Sequence, residues 1–217
     1  MYDYTHLIQL CRQREQEEFE TGFEPGREIL SRVNKKLERN FWPKFQELGW
    51  QFSKKLKPVT TIAEFDAYQH EFVQTIRNEI HSRNGTVISY GEAQKPVNVF
   101  LKEYVEKSNL LDIDSVKRLR PFLHVTLDSV IILYFQSFFR EDYLKYIAPF
   151  NNYCGQIETE KIVSFHKKDI SESSLAQLMF FNHEVYNAWQ SWFRLICPER
   201  PVLLDAVWAI SRRTLLY

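Results

Sequence analysis

Ser89-Tyr-Gly-Glu-Ala-Gln-Lys95-Pro-Val-Asn98-Val-Phe-Leu-Lys102 is the stretch that decides how this chain is read, together with His124-Val-Thr-Leu-Asp128-Ser-Val-Ile-Ile-Leu133. At 100° per residue, Val97, Phe100, Leu101 and Tyr104 share one helix face, and Lys95, Asn98 and Lys102 share the opposite one. Ser89-x-x-Glu92 has the form of a capping box, but a helix starting there would carry Pro96 inside it. The helix therefore either kinks at Pro96 or starts near Gln94. In both cases Lys95 is expected beside freed backbone amides at a positive helix end, where a neutral, nucleophilic amine is favoured. Asp128 precedes a strongly apolar run and reads as its N-cap, held ionised by amides and dipole.

Each residue also has a plain explanation. A Lys/Asn/Lys stripe is ordinarily the solvated face of an amphipathic helix, and an Asp before an apolar run is ordinarily a cap and nothing more. A cap can also be a catalyst, since the ionised carboxylate is the state that steadies developing positive charge.

Working outward, nearly every segment repeats at the helical period. Helices are expected over Thr5–Phe19, Arg27–Asn40 (after a turn at Thr21–Gly26) and Pro43–Trp50. Thr61-Ile-Ala-Glu64 opens a long helix to about Ser82, with Phe65, Tyr68, Phe72, Ile76 and Ile80 on one face. Asn84-Gly85 is a turn signal. The Lys95 helix runs to about Lys107, a short one covers Ser115–Arg120, and Asp128–Phe139 is the central, buried one. Residues 150–169 look irregular, with 161–165 extended. Ser171 or Ser173 caps an aromatic helix to about Leu195, and a last helix runs from Pro201 to about Arg213. No internal repeat or linker interrupts the chain. The expectation is one all-α domain over residues 1–217, arranged as two lobes around a cleft.

The 217 residues suffice for a sizeable core, and 44% hydrophobic with 15% aromatic content fits a globular fold. Lys+Arg and Asp+Glu balance at 28 each, so net charge points to no nucleic-acid partner. Cys11, Cys154 and Cys197 match neither a disulfide framework nor a zinc spacing, which indicates a reduced, cytoplasmic setting. No signal peptide or spanning segment is evident, and no membrane association is expected. The Asn and Gln content reads as mesophilic.

Gly85…Gly91-x-x-Gln94-Lys95, Leu127-Asp128-Ser-Val and Leu204-Asp205-Ala-Val-Trp208 together resemble the helix-hairpin-helix DNA glycosylases. The similarity is greatest to the archaeal 8-oxoguanine branch and extends to Brig-type anti-phage DNA glycosylases. It covers roughly residues 80–140 and the C-terminal helices within 171–213. The resemblance implies a hairpin gripping DNA phosphates (Gly85, Ser89, Tyr90, Gly91), a catalytic lysine (Lys95) and a catalytic aspartate (Asp128). It further implies a base pocket drawing on Asp205 and Trp208, with Gln94, Asn98 and His124 as further substrate-binding candidates. The implied partner is double-stranded DNA with one modified base flipped out, bound by a monomer without metal or organic cofactor. The implied reaction is base excision, leaving an abasic site, with a lyase step open to the lysine. The chain departs from the family pattern in three places. It has no Leu-Pro-Gly-x-Gly hairpin, no proline before the aspartate, and Pro96 directly after the lysine. These departures favour a bulky phage modification such as glucosylated hydroxymethylcytosine over 8-oxoguanine, the alternative substrate.

Two readings from other classes remain. Arg118-Leu-Arg-Pro-Phe-Leu-His124 fits the loose Arg-x(4–6)-His pattern of HEPN ribonucleases, although Pro121 interrupts the helix that pattern needs. A helical interaction module without an active site is the other.

Overall fold

Two capping boxes frame the part of the fold that carries the candidate residues. The computed structural model describes residues 3–21, 37–39, 41–150 and 181–214. The hydroxyl of Thr61 accepts from the Glu64 amide, and the Glu64 carboxylate accepts from the Thr60 and Thr61 amides at 2.8 and 3.0 Å. They start a helix over Ile62–Glu79, with Phe65, Tyr68, Phe72 and Ile76 buried as the periodicity requires. The chain then reverses through Ser82–Thr86, where Gly85 adopts φ 74°, a region that favours glycine. Ser89 and Glu92 form the second box and start Tyr90–Glu106. Of the two expected starts, the one at Ser89 is therefore adopted, and Pro96 lies inside the helix.

In chain order the helices are α1 (Tyr4–Thr21), α2 (Phe41–Leu56), α3 (Ile62–Glu79), α4 (Tyr90–Glu106), α5 (Ile113–Leu119), α6 (Ser129–Phe138), α7 (Arg140–Tyr146), α8 (His183–Ile196) and α9 (Val207–Thr214). Short 3-10 turns cover Arg120–Phe122, Ala148–Phe150 and Pro201–Ala206. The described residues form no β-strand, only isolated bridges at Leu37–Ser82 and His81–Val87. None of their helices is long and apolar enough to cross a membrane.

Several boundaries differ from expectation for local reasons. Helix α2 starts before Pro43, which occupies its first turn, where a missing N–H costs nothing. Asp112 caps α5, so that helix begins ahead of Ser115. Helix α7 was not expected, and the last helix spends Pro201–Ala206 in 3-10 geometry before α9. Asn182 caps α8. The expected turn at 22–26, most of the second helix at 27–40, the extended segment at 161–165 and the caps Ser171 and Ser173 lie outside the described residues.

Packing joins the chain's two ends to its centre. α3 lies along α4, α1 packs on the Pro201–Ala206 turn, and α9 packs on α6. One cluster of buried side chains runs from Leu7 on α1 to Ala209 on α9. A methyl group added at Gly49 would lie 3.0 Å from the Phe100 ring, so glycine is what lets α2 approach α4 this closely. The result places α4, the start of α6 and the start of α9 around the segment 123–128.

Candidate active site

Residues 123–128 form no helix, yet Leu123 to Asp128 are all buried. Buried backbone without a ladder must find its hydrogen bonds elsewhere. Here side chains supply them. Gln94 Nε2 donates to Leu127 O at 2.9 Å, and Asn98 Nδ2 donates to Val125 O at 3.1 Å, both from α4. Gln190 on α8 takes both sides of Val125, accepting from its N–H at 2.9 Å and donating to its carbonyl at 3.0 Å. On the other side, the Thr126 N–H donates to Asp205 Oδ1 at 2.7 Å. Carbonyls 125 and 127 face α4 and amide 126 faces away, the two-residue alternation of an extended chain.

That segment delivers Asp128 to the start of α6. Its Oδ1 accepts from the Val130 and Ile131 amides, each at 2.9 Å, and the residue is 5% exposed. Burial raises the Asp128 pKa above the ordinary carboxylate range. The Lys95 ammonium, the two amides and the nearby Trp208 indole oppose this without cancelling it. The cap amides lower the Asp128 pKa as expected of an N-cap, but desolvation outweighs them. A carboxylate with a raised pKa is a stronger base, which suits it to take a proton from an adjacent ammonium.

Lys95 lies in the second turn of α4 and is partly exposed. The dipole's influence fades within the first turn. Pro96 has no N–H, so it frees a carbonyl at Glu92 and no amide. The sequence argument for a depressed amine thus fails on both counts, and Asp128 is a charged group that does act on Lys95. The pair expected from sequence is nonetheless brought within electrostatic reach, with Trp208 as third member.

The other candidates are placed differently. Gln94 and Asn98 are buried and directed at backbone carbonyls, so in this conformation they hold the segment and do not face a ligand. Asp205 also bonds Lys102 Nζ at 3.1 Å. Lys102, expected on a solvated face, has a side chain only 22% exposed, and Asp205 raises its pKa against the effect of burial. Tyr90 and Gly91 are buried, and the Tyr90 hydroxyl donates to Gln69 Oε1 at 3.3 Å. Ser89 is engaged in its cap, which leaves Gly85 as the one exposed member of the expected phosphate grip.

His124 is no rim residue. It is 3% exposed, and its Nε2 lies 2.7 Å from Asp66 Oδ1 while the Tyr186 hydroxyl is 2.7 Å from Nδ1. Burial pushes His124 down to about 4, so it is neutral at pH 7, and its Nε2 also lies 2.8 Å from Arg194 NH2. Burial alone would raise Asp66, but hydrogen bonds from His124 and Arg194 outweigh it and hold the carboxyl at about 2. Arg194 NH1 and NH2 donate to the two Asp66 oxygens at 3.0 and 2.6 Å. The chain continues from Tyr186 to Asn98 and Gln69. Asp66, Gln69, Arg194 and Gln190 were missed in the sequence reading. Their signal is a polar residue interrupting an apolar stripe, as Gln69 does between Phe65 and Phe72 or Gln190 beside Trp189.

Arg118 donates from Nε to Val59 O at 3.1 Å and from NH2 to Lys57 O at 2.8 Å. Among the described residues no group of three or more His, Cys, Asp or Glu could hold a metal ion. No family model, no curated protein and no solved structure matches the chain.

Proposed function

We propose that this chain is a DNA N-glycosylase, with Lys95 and Asp128 as its catalytic pair. One observation carries the proposal: a partly exposed lysine and a buried, helix-capping carboxylate of raised pKa, distant in sequence, lie within electrostatic reach of each other. Asp128 takes a proton from the Lys95 ammonium. The freed Nζ lone pair bonds C1′ of the flipped nucleotide as the C1′–N bond breaks, and its electron pair leaves with the base, which takes a proton from water. Asp128, ionised again once its proton passes to solvent, steadies the oxocarbenium character at C1′. Sugar ring opening then gives a Schiff base, from which strand cleavage can follow; attack by water in place of Nζ leaves an abasic site. The nucleotide enters a cleft between helical lobes past Lys95; Trp208 is buried, 2% exposed, beside Asp128. The substrate is a bulky modified base such as glucosylated hydroxymethylcytosine, in keeping with the altered hairpin and the absence of proline before Asp128. 8-Oxoguanine is the alternative.

A ribonuclease built on Arg118 and His124 gains no support from the geometry, because both side chains are engaged in structural bonds. The test incubates purified protein with matched DNAs, unmodified or carrying glucosylated hydroxymethylcytosine or 8-oxoguanine, beside Lys95→Ala and Asp128→Asn. Base release from one modified DNA, lost in both variants, is expected. Release from none, with RNA cleavage dependent on Arg118 and His124, would overturn the proposal; no activity on any nucleic acid would leave the interaction module.

A further inference from the structure

Asp205 has both carboxylate oxygens committed inside the fold. Oδ1 accepts from the Thr126 N–H at 2.7 Å and Oδ2 accepts from Lys102 Nζ at 3.1 Å, and the side chain is 12% exposed. Thr126 stands two residues before Asp128 on the extended segment. Lys102 stands seven residues, two helical turns, beyond Lys95 on α4, so both lysines project from nearly the same face. The face therefore meets one carboxylate at each end, Asp128 at Lys95 and Asp205 at Lys102. The Thr126 amide has no other acceptor in the hydrogen-bond pattern of the segment, and without one it would be an unsatisfied buried donor.

We infer that Asp205 is a positioning residue: its side-chain oxygen, oriented in the wild type by Lys102, holds the Thr126 amide, and that bond sets where Asp128 stands against Lys95. Asp205 thus acts through Asp128 and does not read the base. The part concerning excision rests on the proposed glycosylase activity; the part concerning Asp128 does not. Asp205 favours the ammonium form of Lys102 against the effect of burial. A displacement of about 1 Å in a catalytic group can lower a rate about a hundredfold, which gives such a clamp its leverage.

Two double variants separate the possibilities. Lys102→Met with Asp205→Asn removes both charges and keeps an oxygen for the Thr126 amide. Lys102→Met with Asp205→Ala removes the oxygen too. Neither leaves a buried charge unpaired. Asp128 is followed by carboxyl carbon-13 titration, and excision by single-turnover rates on the modified DNA. The inference predicts that Asp128 titrates above the ordinary carboxylate range in the wild type and the Asn variant. In the Ala variant, where the segment loosens and water reaches the carboxyl, its titration falls back toward that range. The Ala variant is also expected to excise about a hundredfold more slowly than the Asn variant with DNA affinity unchanged. Identical Asp128 titrations in the two variants overturn the inference, and so does an equal loss of substrate affinity in both, which is the mark of a base-reading Asp205. If the wild type excises nothing, the glycosylase reading fails while the titration still decides the clamp. Should the Ala variant not fold, the Thr126 amide of the wild type and the Asn variant reads the same bond: slow hydrogen exchange in both supports it, and exchange at the rate of an open loop sinks it.

Discussion

Gln94 Nε2 and the carbonyl of Leu127, 33 residues apart in sequence, are joined by a 2.9 Å hydrogen bond. Each partner is the residue immediately before a candidate catalytic one, Lys95 and Asp128. This rung is what brings α4 and the start of α6 together at the site. Gln94 is fully buried, and it also donates to Gly91 O at 3.0 Å and accepts from Asn98 Nδ2 at 2.8 Å. Gln94→Ala would strand the Leu127 carbonyl, remove one of three acceptors around Asn98 Nδ2 and leave a cavity. The expected loss is about 2–4 kcal/mol in urea unfolding. A loss below about 0.5 kcal/mol, the range of ordinary surface changes, would show that the rung does not hold the segment.

Asp128→Asn should trade activity for stability. The folded chain raises the Asp128 pKa, so the carboxyl binds its proton more tightly folded than unfolded. Its contribution to stability is complete below the unfolded value, about 3.9, and is lost as pH rises through the raised folded value. Asparagine keeps an Oδ1 for the Val130 and Ile131 amides and has no charge to desolvate. The variant should therefore unfold at higher urea than the wild type at pH 7, with the gap closing near about pH 3, while base release stops. A variant less stable at pH 7 would mean that the Lys95 attraction outweighs burial.

Three helix starts were legible because their signals are local. Thr61-x-x-Glu64, Ser89-x-x-Glu92 and Asp128 each satisfy amides within three residues, and each does so in the structure. Asn84-Gly85 was legible for the same reason. The polar face of α4 was not, because periodicity reports that residues share a face and not what that face meets. Asn98 and Lys102 face a buried strand-like segment and an ion-pair partner, where solvent was the default. Lys95 and Asp128 were legible as types at a spacing. Their proximity depends on Gln94, Gln190 and Asp205, whose contacts cross 33, 65 and 79 residues.

Acid should weaken the fold through His124 before it reaches the carboxylates. Burial lowers His124 to about 4, so the unfolded chain, titrating near about 6.5, binds the proton first. Its stabilising contribution is complete above that unfolded value and is lost as pH falls toward the folded one. The slope for one proton approaches about 1.4 kcal/mol per pH unit. His70 and His183 are lowered by burial as well and add in the same direction, so the difference between two proteins is what reads His124. His124→Gln retains a donor for Asp66 and an acceptor for Tyr186 but does not titrate. Unfolding measured from pH 7 to 4.5 should fall more steeply in the wild type than in the variant. Equal slopes would show that His124 is not the buried neutral base the network requires. Asp66 acts lower still: its contribution, present above the unfolded carboxylate value, is lost as pH falls through about 2.

Thr126 provides the last test, because its hydroxyl is buried with no hydrogen-bond partner among the described residues. Its N–H is taken by Asp205, so the side chain is free of any part in the clamp. A desolvated hydroxyl without a partner is a cost to the folded state, and replacing it by a methyl group leaves no other group unpaired. Thr126→Val should therefore stabilise the chain by up to about 1 kcal/mol in thermal or urea unfolding. A variant that loses stability would show that the hydroxyl is already bonded within the fold.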